Sequence, residues 1–195
     1  MHNKLRTPKN ITFNKLIQFM KSKYNLEFEV SNLDTSDIGS NSWLTGFIEA
    51  DGNFSIKIRE AKPKIDTTKR STSSSVNLNF KISQRSFDRP TSTTIYPIME
   101  KIANFLSCNL QLIKNTNTSL KLEPIDTLTA EVSALNKIDN IITYFNKFPL
   151  LGMKQLDFND WKSVYFLIKN GEHLTESGRL KIKLIKSNMN SKRIS

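Results

Sequence analysis

Few side chains in this sequence can do chemistry. The single cysteine, Cys108, rules out a disulfide framework and a Cys-rich zinc site, and His2 and His173 alone are too few for a histidine-based metal centre. Asp51 is one of 18 acidic residues. It stands before Gly52 at the close of the apolar run Leu44 to Ala50, so its carboxylate falls at the carboxyl end of a short helix that Gly52 stops. The negative end of a helix is a poor place for a carboxylate, and a divalent cation there would neutralise it. A lone Asp before Gly is more often only a helix stop, and the residues around it must decide. The second chemical set is basic. Between Asn53 and Arg89 there are nine basic residues (Lys57, Arg59, Lys62, Lys64, Lys69, Arg70, Lys81, Arg85 and Arg89) against Glu60, Asp66 and Asp88.

Those residues need elements to hold them. Trp43, Leu44, Phe47, Ile48 and Ala50 predict the short helix, with Ser42 at its N-cap. Phe54, Ile56 and Ile58 then alternate with Asn53, Ser55, Lys57 and Arg59, which predicts a half-buried strand with a basic outer face. Residues 61–75 read as a polar loop. Val76, Leu78, Phe80 and Ile82 alternate with Asn77, Asn79, Lys81 and Ser83 in a second strand. Pro97 opens a helix through Leu106; strands follow near 110–114 and 119–133, split by the turn Asn115-Thr116-Asn117-Thr118. Further helices carry Leu135 to Phe145, Phe158 to Ile168, and a last stretch capped by Thr175. The expected class is α+β, with an antiparallel sheet and helices on one face. Residues 1–40 read as a helical extension and linker, with an amphipathic helix over about 12–24 through Phe13, Leu16, Ile17, Met20 and Tyr24, and 41–195 as the main domain.

Charge points the sheet at a polyanion. The formal net charge is +11, from 29 basic and 18 acidic residues, which by itself does not choose between DNA, RNA and an anionic membrane surface; no apolar run reaches the ~18 residues of a membrane span, and no membrane partner is expected. Asn53, Ser55, Lys57, Arg59, Asn77, Asn79, Lys81 and Arg85 are the candidate DNA-contacting residues, because such side chains along a two-stranded ribbon reach base edges in a major groove. A solvated sheet surface is the bland alternative; the basic excess of the hairpin and the acid-free stretch from Arg179 to Arg193 favour nucleic acid. Lys, Asn and Ile make up about a third of the chain, with 22 Lys to 7 Arg. That bias suits an A/T-rich genome such as an organelle's, and it discounts some of the charge as drift. The basic start of the chain is also open to reading as a targeting peptide, although it is Lys-rich rather than Arg-rich.

Leu44-Thr45-Gly46-Phe47-Ile48-Glu49-Ala50-Asp51-Gly52 resembles the nine-residue signature of the LAGLIDADG homing endonucleases, preceded by Trp43 and followed by a basic-faced strand. The likeness extends to Pro149 through Phe158, the helix of Trp161, and Leu180-Lys181-Ile182-Lys183 with Met189-Asn190. It implies an αββαββα fold whose sheet forms a saddle over double-stranded DNA, and metal-dependent double-strand cleavage. Gly46 and Ala50, four apart on one helix face, would pack against the equivalent helix of a second half-site. Asp51, with the Ala50 carbonyl as a further ligand, would hold Mg²⁺ or another divalent cation beside its counterpart. Two acids and bridging ions could activate water and stabilise the leaving 3′ oxygen of each strand. Glu49 would be a structural partner at the helix end; Gln84 would order active-site water; Lys154 would lie near the scissile phosphate, or be an ordinary first-turn lysine. One signature implies a homodimer. The stretches Asn3 to Lys9 and Leu33 to Ser36 resemble the connector into the second half of double-motif fungal proteins, so a missing N-terminal half is the alternative. The resemblance is to fungal mitochondrial intron-encoded members and implies a mitochondrial, organelle-encoded protein. Some members are RNA maturases that assist splicing of their host intron, which is the alternative activity, with intron RNA as partner.

Overall fold

Alternation along two strands organises the sheet. In the computed structural model, which describes residues 3–61, 73–115 and 125–193, β1 (Gly52–Arg59) buries Phe54 and Ile56 and β2 (Ser75–Arg85) buries Leu78, Phe80 and Ile82. With β5 (Leu110–Ile113) and β6 (Thr127–Val132) they form a four-stranded sheet in the order β1-β2-β6-β5. β5 and β6 are antiparallel, with Leu110 opposite Ala130 and Ile113 opposite Thr127. A two-residue pair, β3 (Phe87–Asp88) with β4 (Thr93–Thr94), is closed by a 3-10 turn in which the Asp88 carboxylate accepts the Thr91 amide at 3.1 Å. The helices are α1 (Lys9–Tyr24), α2 (Trp43–Asp51), α3 (Tyr96–Phe105), α4 (Leu135–Lys147), α5 (Met153–Lys169) and α6 (Glu176–Ser187). The class is therefore α+β, a mixture of helices and antiparallel sheet in the expected order. Lys62, Lys64, Lys69 and Arg70 of the basic loop, Thr116 to Thr118 of the turn and the start of the strand expected from 119 lie outside the described residues.

The backbone divides into two compact units, Met1–Leu44 with Ile82–Ala130, and Thr45–Lys81 with Glu131–Ser195. In the first, α3 turns Ile98, Met99, Ile102 and Ala103 inward, and Pro97 in its first turn forfeits no hydrogen bond. The 3-10 turn at Ile38–Ser40 packs on α3; a Cβ at Gly39 would come within 2.8 Å of the Phe105 ring, which would have to shift to admit it. The buried Arg6 guanidinium bonds the Asp34 carboxylate at 3.2 Å and the Ser36 hydroxyl at 2.5 Å, and lies 5.2 Å from the Trp43 ring centre. The Ser36 hydroxyl, with Arg6, holds the Asp34 carboxyl below its ordinary range.

Helix α1 corrects the expectation of an apolar stripe. It starts at Lys9, buries Ile17 alone among the five apolar residues expected inward, and leaves Leu16 and Tyr24 exposed. Polar contacts hold it instead: the Asn10 amide donates to the Ser31 carbonyl at 3.0 Å, the Asn14 amide to the same carbonyl at 2.9 Å, and Asn14 Oδ1 accepts the Ser31 N–H at 2.8 Å.

The second unit is built on an aromatic cluster. Phe54 of β1 has Phe80, Trp161, Phe158 and Phe145 with ring centres 5.0, 5.4, 5.5 and 5.9 Å away. Burying a side chain of this kind contributes roughly 1.5–3 kcal/mol, so β1 is anchored firmly one strand position from the residues it exposes. Tyr165 of α5 donates its hydroxyl to Asp139 of α4 at 2.5 Å. Residues beyond α6 turn back as a clasp: the Asn190 amide nitrogen donates to the Phe54 carbonyl at 3.1 Å, and its backbone N–H to Asp157 at 2.9 Å. Arg193 bonds Asp157 at 2.8 Å and Asp160 at 2.6 Å. Asn190 sits at φ 58, a left-handed conformation that asparagine tolerates better than most residues.

Candidate active site and nucleic-acid interface

Helix α2 is fixed on one side and bare on the other. Its first amide, that of Trp43, donates to the Asn41 side chain at 3.0 Å, so Asn41 supplies the capping bond expected of Ser42. Leu44 and Ile48 are buried, the Thr45 hydroxyl donates to the Phe148 carbonyl at 2.8 Å, and the Thr45 N–H meets the Tyr144 hydroxyl at 3.3 Å. Gly46 and Ala50 are exposed, and a Cβ built on Gly46 meets no atom within 4 Å. That open strip of small residues is a surface another helix backbone can approach closely.

Asp51 is the last residue of α2 and is exposed. The chain can leave the helix there because position 52 has no side chain: a Cβ on Gly52 would lie 2.5 Å from Ile48 Cγ2 and 2.9 Å from the Ile48 carbonyl oxygen. Two charged contacts then lock the end of α2 to the start of α5. Glu49 Oε1 accepts the amides of Leu151 at 2.6 Å and Gly152 at 2.9 Å, which sets a carboxylate at the positive end of α5. Lys154, in the first turn of α5, donates Nζ to the Gly52 carbonyl at 2.7 Å, one residue past Asp51. Gly152 suits the same lock, because a Cβ there would be 2.9 Å from Glu49 Oε2 and the carboxylate would have to shift. Asp51, Ala50, Glu49 and Lys154 are thus gathered where α2 meets α5.

A carboxylate and a nearby main-chain carbonyl are hard oxygen donors, and Mg²⁺ typically takes one or two carboxylates with water and substrate phosphate. Asp51 and the Ala50 carbonyl fit that chemistry. Among the described residues no group of three or more His, Cys, Asp or Glu side chains could hold a metal ion. Gln84 is half-buried, second from the end of β2, and belongs to the first compact unit, whereas Asp51 and Lys154 belong to the second.

The strand faces match the expected alternation at most positions. On β1, Asn53, Lys57 and Arg59 are exposed and Ser55 is half-buried; on β2, Asn77 and Arg85 are exposed and Lys81 is half-buried. Asn79 is the correction. It is buried at 5% exposure, and its Oδ1 has no hydrogen-bond partner. β2 is an inner strand of the sheet, flanked on both edges, so a short side chain in its middle is shaded while a longer lysine reaches past its neighbours. Lys57 pairs loosely with Glu131 at 3.7 Å. Sequence reasoning gave no positional role to Asn190 and Arg193; in an asparagine-rich chain the only local signal for Asn190 is its tolerance of left-handed backbone.

Comparison with known proteins now decides the family. The model of the LAGLIDADG endonuclease family matches residues 44–165, from the first residue of the signature into the last third of α5. The chain belongs to the LAGLIDADG endonuclease family. It is 31% identical over 196 residues to the intron-encoded DNA endonuclease aI3 of Saccharomyces cerevisiae, which covers 89% of this chain and 46% of that protein. An uncharacterized cox1 intron-2 protein of Schizosaccharomyces pombe is 26% identical over 185 residues, covering 94% of this chain and 49% of its own length. Among solved structures, the I-LtrWI LAGLIDADG homing endonuclease bound to target DNA superposes with a TM-score of 0.61 at 28% identity, over 91% of this chain and 53% of the other. This LAGLIDADG chain therefore spans about half the length of the curated relatives it matches.

Proposed function

We propose that this chain is one half of an intron-encoded, site-specific DNA endonuclease that makes double-strand breaks at a long target site. The observation that carries this is Asp51: an exposed carboxylate at the end of a helix whose Gly46–Ala50 face is open, followed directly by a strand that presents Asn53, Lys57 and Arg59. The exposed strand residues grip and read the duplex. The Gly46 and Ala50 face takes the matching helix of a second copy of this chain, or of another half of a longer protein, and so brings a second carboxylate to Asp51. A divalent cation, Mg²⁺ in the first instance, held by Asp51 and the Ala50 carbonyl would supply Lewis acidity and an activated water. Lys154 keeps positive charge at the end of α2, where the helix dipole disfavours a carboxylate. Glu49 is occupied with two amides and serves as the hinge pin of α2 on α5. We place Gln84 as a water-ordering residue of the same assembly. The mitochondrion is the proposed compartment, supported by the Lys-, Asn- and Ile-rich composition, which suits an A/T-rich genome, and by the cox1 intron in the name of one relative. The maturase reading is not favoured, since the named relatives are DNA endonucleases.

The test is cleavage of duplex DNA spanning the host gene's uninterrupted insertion point. The chain, alone or with its missing half, should cut both strands with Mg²⁺ and not in chelator. Asp51→Asn should still bind and lose cutting by roughly 10²–10³, the scale of removing one electrostatic stabiliser. Undiminished cutting by that variant would overturn the assignment.

A further inference from the structure

The first residues of β1 are held from the open side of the strand. Among the described residues β1 stands at one end of the strand order, and an edge strand presents main-chain groups that no neighbouring strand pairs. Carbonyls two residues apart in a strand point to the same edge. Those of Gly52 and Phe54 are such a pair, and each takes a side-chain donor, Lys154 Nζ at 2.7 Å and Asn190 Nδ2 at 3.1 Å. Asp51 directly precedes the first of them. On its other side, Glu49 ties the end of α2 to the amides of Leu151 and Gly152. The exposed carboxylate is thus fastened before and after, and Asn190 is the fastening that comes from outside α2 and α5.

Charge sets Asn190 in place. Its backbone N–H donates to Asp157 Oδ1 at 2.9 Å; the Arg193 guanidinium bonds the same oxygen at 2.8 Å and Asp160 Oδ2 at 2.6 Å. Asp157 is buried at 8% exposure and lies three residues after Lys154, so the two share one face of α5. A buried carboxylate is costly unless paired, and Arg193 with the Asn190 N–H pairs it. Met189 is buried, Asn190 turns the chain at φ 58, and the 3-10 turn Asn190–Lys192 brings Arg193 back to α5. Packing alone does not call for the Asn190 amide, because four rings already hold the Phe54 side chain. Those rings fix where the side chain sits. The bond to the carbonyl fixes the peptide plane, and with it the direction in which the chain leaves Asp51.

On the endonuclease reading above, we infer that Asn190, backed by Asp157 and Arg193, is a positioning residue for the cut. It orients the main chain next to Asp51 and so sets where that carboxylate meets its cation and the scissile phosphate. Removing a partner that orients a metal-holding group typically costs about 10- to 100-fold in activity or metal affinity, although the partner touches neither metal nor substrate. A misplacement on the order of 1 Å is enough for a loss of that size.

Three measurements test this: single-turnover cleavage at saturating DNA and Mg²⁺, DNA affinity, and amide hydrogen exchange of residues 51–56 in the metal-free chain. Asn190→Gly is the main variant. Glycine accepts φ 58 and keeps the N–H for Asp157, while the amide on the Phe54 carbonyl is lost. It should cut about 10- to 100-fold more slowly, bind target DNA within about threefold of wild type, and exchange about tenfold faster at 51–56. Arg193→Gln should act in the same direction, with cutting slowed about three- to tenfold. Tyr165→Phe, which removes a bond between α4 and α5 in the same compact unit, should leave cutting and that exchange unchanged. Cutting by Asn190→Gly at the wild-type rate, or an equal loss in Tyr165→Phe, overturns the inference and leaves the endonuclease reading standing. Unchanged exchange at 51–56 overturns it as well. A wild-type chain that cuts nothing, alone or with its other half, overturns the endonuclease reading and this role with it. Should Asn190→Gly fail to fold, Arg193→Gln decides.

Discussion

Lys154 Nζ lies 2.7 Å from the carbonyl oxygen of Gly52, the first residue past Asp51. The lysine does two jobs with one bond: it satisfies a carbonyl just past the end of a helix and puts positive charge where the dipole is negative. Lys154→Met should therefore lower stability by about 1.5–3 kcal/mol, the scale of a hydrogen bond to a charged group. Cutting should fall by more than DNA affinity does, because Asp51 loses the cation behind it. Chemical denaturation and single-turnover cleavage on the same preparation separate the two effects.

Glu49 and Gly152 form a coupled pair. Glu49→Ala frees two amides at the start of α5 and should cost about 1–3 kcal/mol, less to the extent that water replaces the carboxylate. Gly152→Ala should destabilise the wild-type protein, since its Cβ would be 2.9 Å from Glu49 Oε2, and be nearly neutral in the Glu49→Ala background. A double-mutant cycle on unfolding free energies reads that coupling directly.

Position 46 separates the needs of the lone chain from those of the assembly. Nothing lies within 4 Å of a Cβ at Gly46, so Gly46→Ala should stabilise the isolated chain by ~0.5–1 kcal/mol through helix propensity. Gly46→Leu should leave the chain folded and prevent close helix approach, abolishing double-strand cutting. Thermal melts and sedimentation of the DNA complex are the paired measurements; a Leu variant that still cuts both strands would remove Gly46 from the interface.

The bond between α4 and α5 should titrate. The hydroxyl of Tyr165, followed by the charge of Lys169, holds the Asp139 carboxyl below its ordinary range, while burial and the same carboxylate push the Tyr165 hydroxyl up. A depressed folded-state pKa gives stability that is present above the unfolded value of ~3.9 and is lost as pH falls through the lower folded one. Tyr165→Phe should cost about 1 kcal/mol at pH 7, and the gap to wild type should narrow below about pH 4. Urea midpoints across that range measure it.

How much of this was legible depended on whether the pattern was made by apolar or polar side chains. Leu44, Ile48, Phe54, Ile56, Leu78 and Phe80 reported their burial through period alone, and the Gly after Asp51 marked the helix end correctly. Asn10 and Asn14 have helical spacing too, but an amide says nothing about burial until its acceptor, the Ser31 carbonyl, is known. Asn79 failed for a related reason, since strand parity gives a face and not its depth below flanking strands. Glu49 and Lys154 were placed by likeness to a family; their partners, Leu151, Gly152 and Gly52, are backbone groups that carry no signature in the alphabet of side chains.

The Asn190 amide and the Phe54 carbonyl are 136 residues apart in sequence. During translation at about 5–20 residues per second, the strand emerges roughly 7–30 s before the residue that clasps it. A ribosome that stalls in α6 releases a chain with its signature helix and strand complete and its clasp missing. The Phe80, Phe145, Phe158 and Trp161 rings that pack on Phe54 all precede the clasp, so the core of the strand can form first and the bond to its Phe54 carbonyl is added only after nearly all of the described chain has been made.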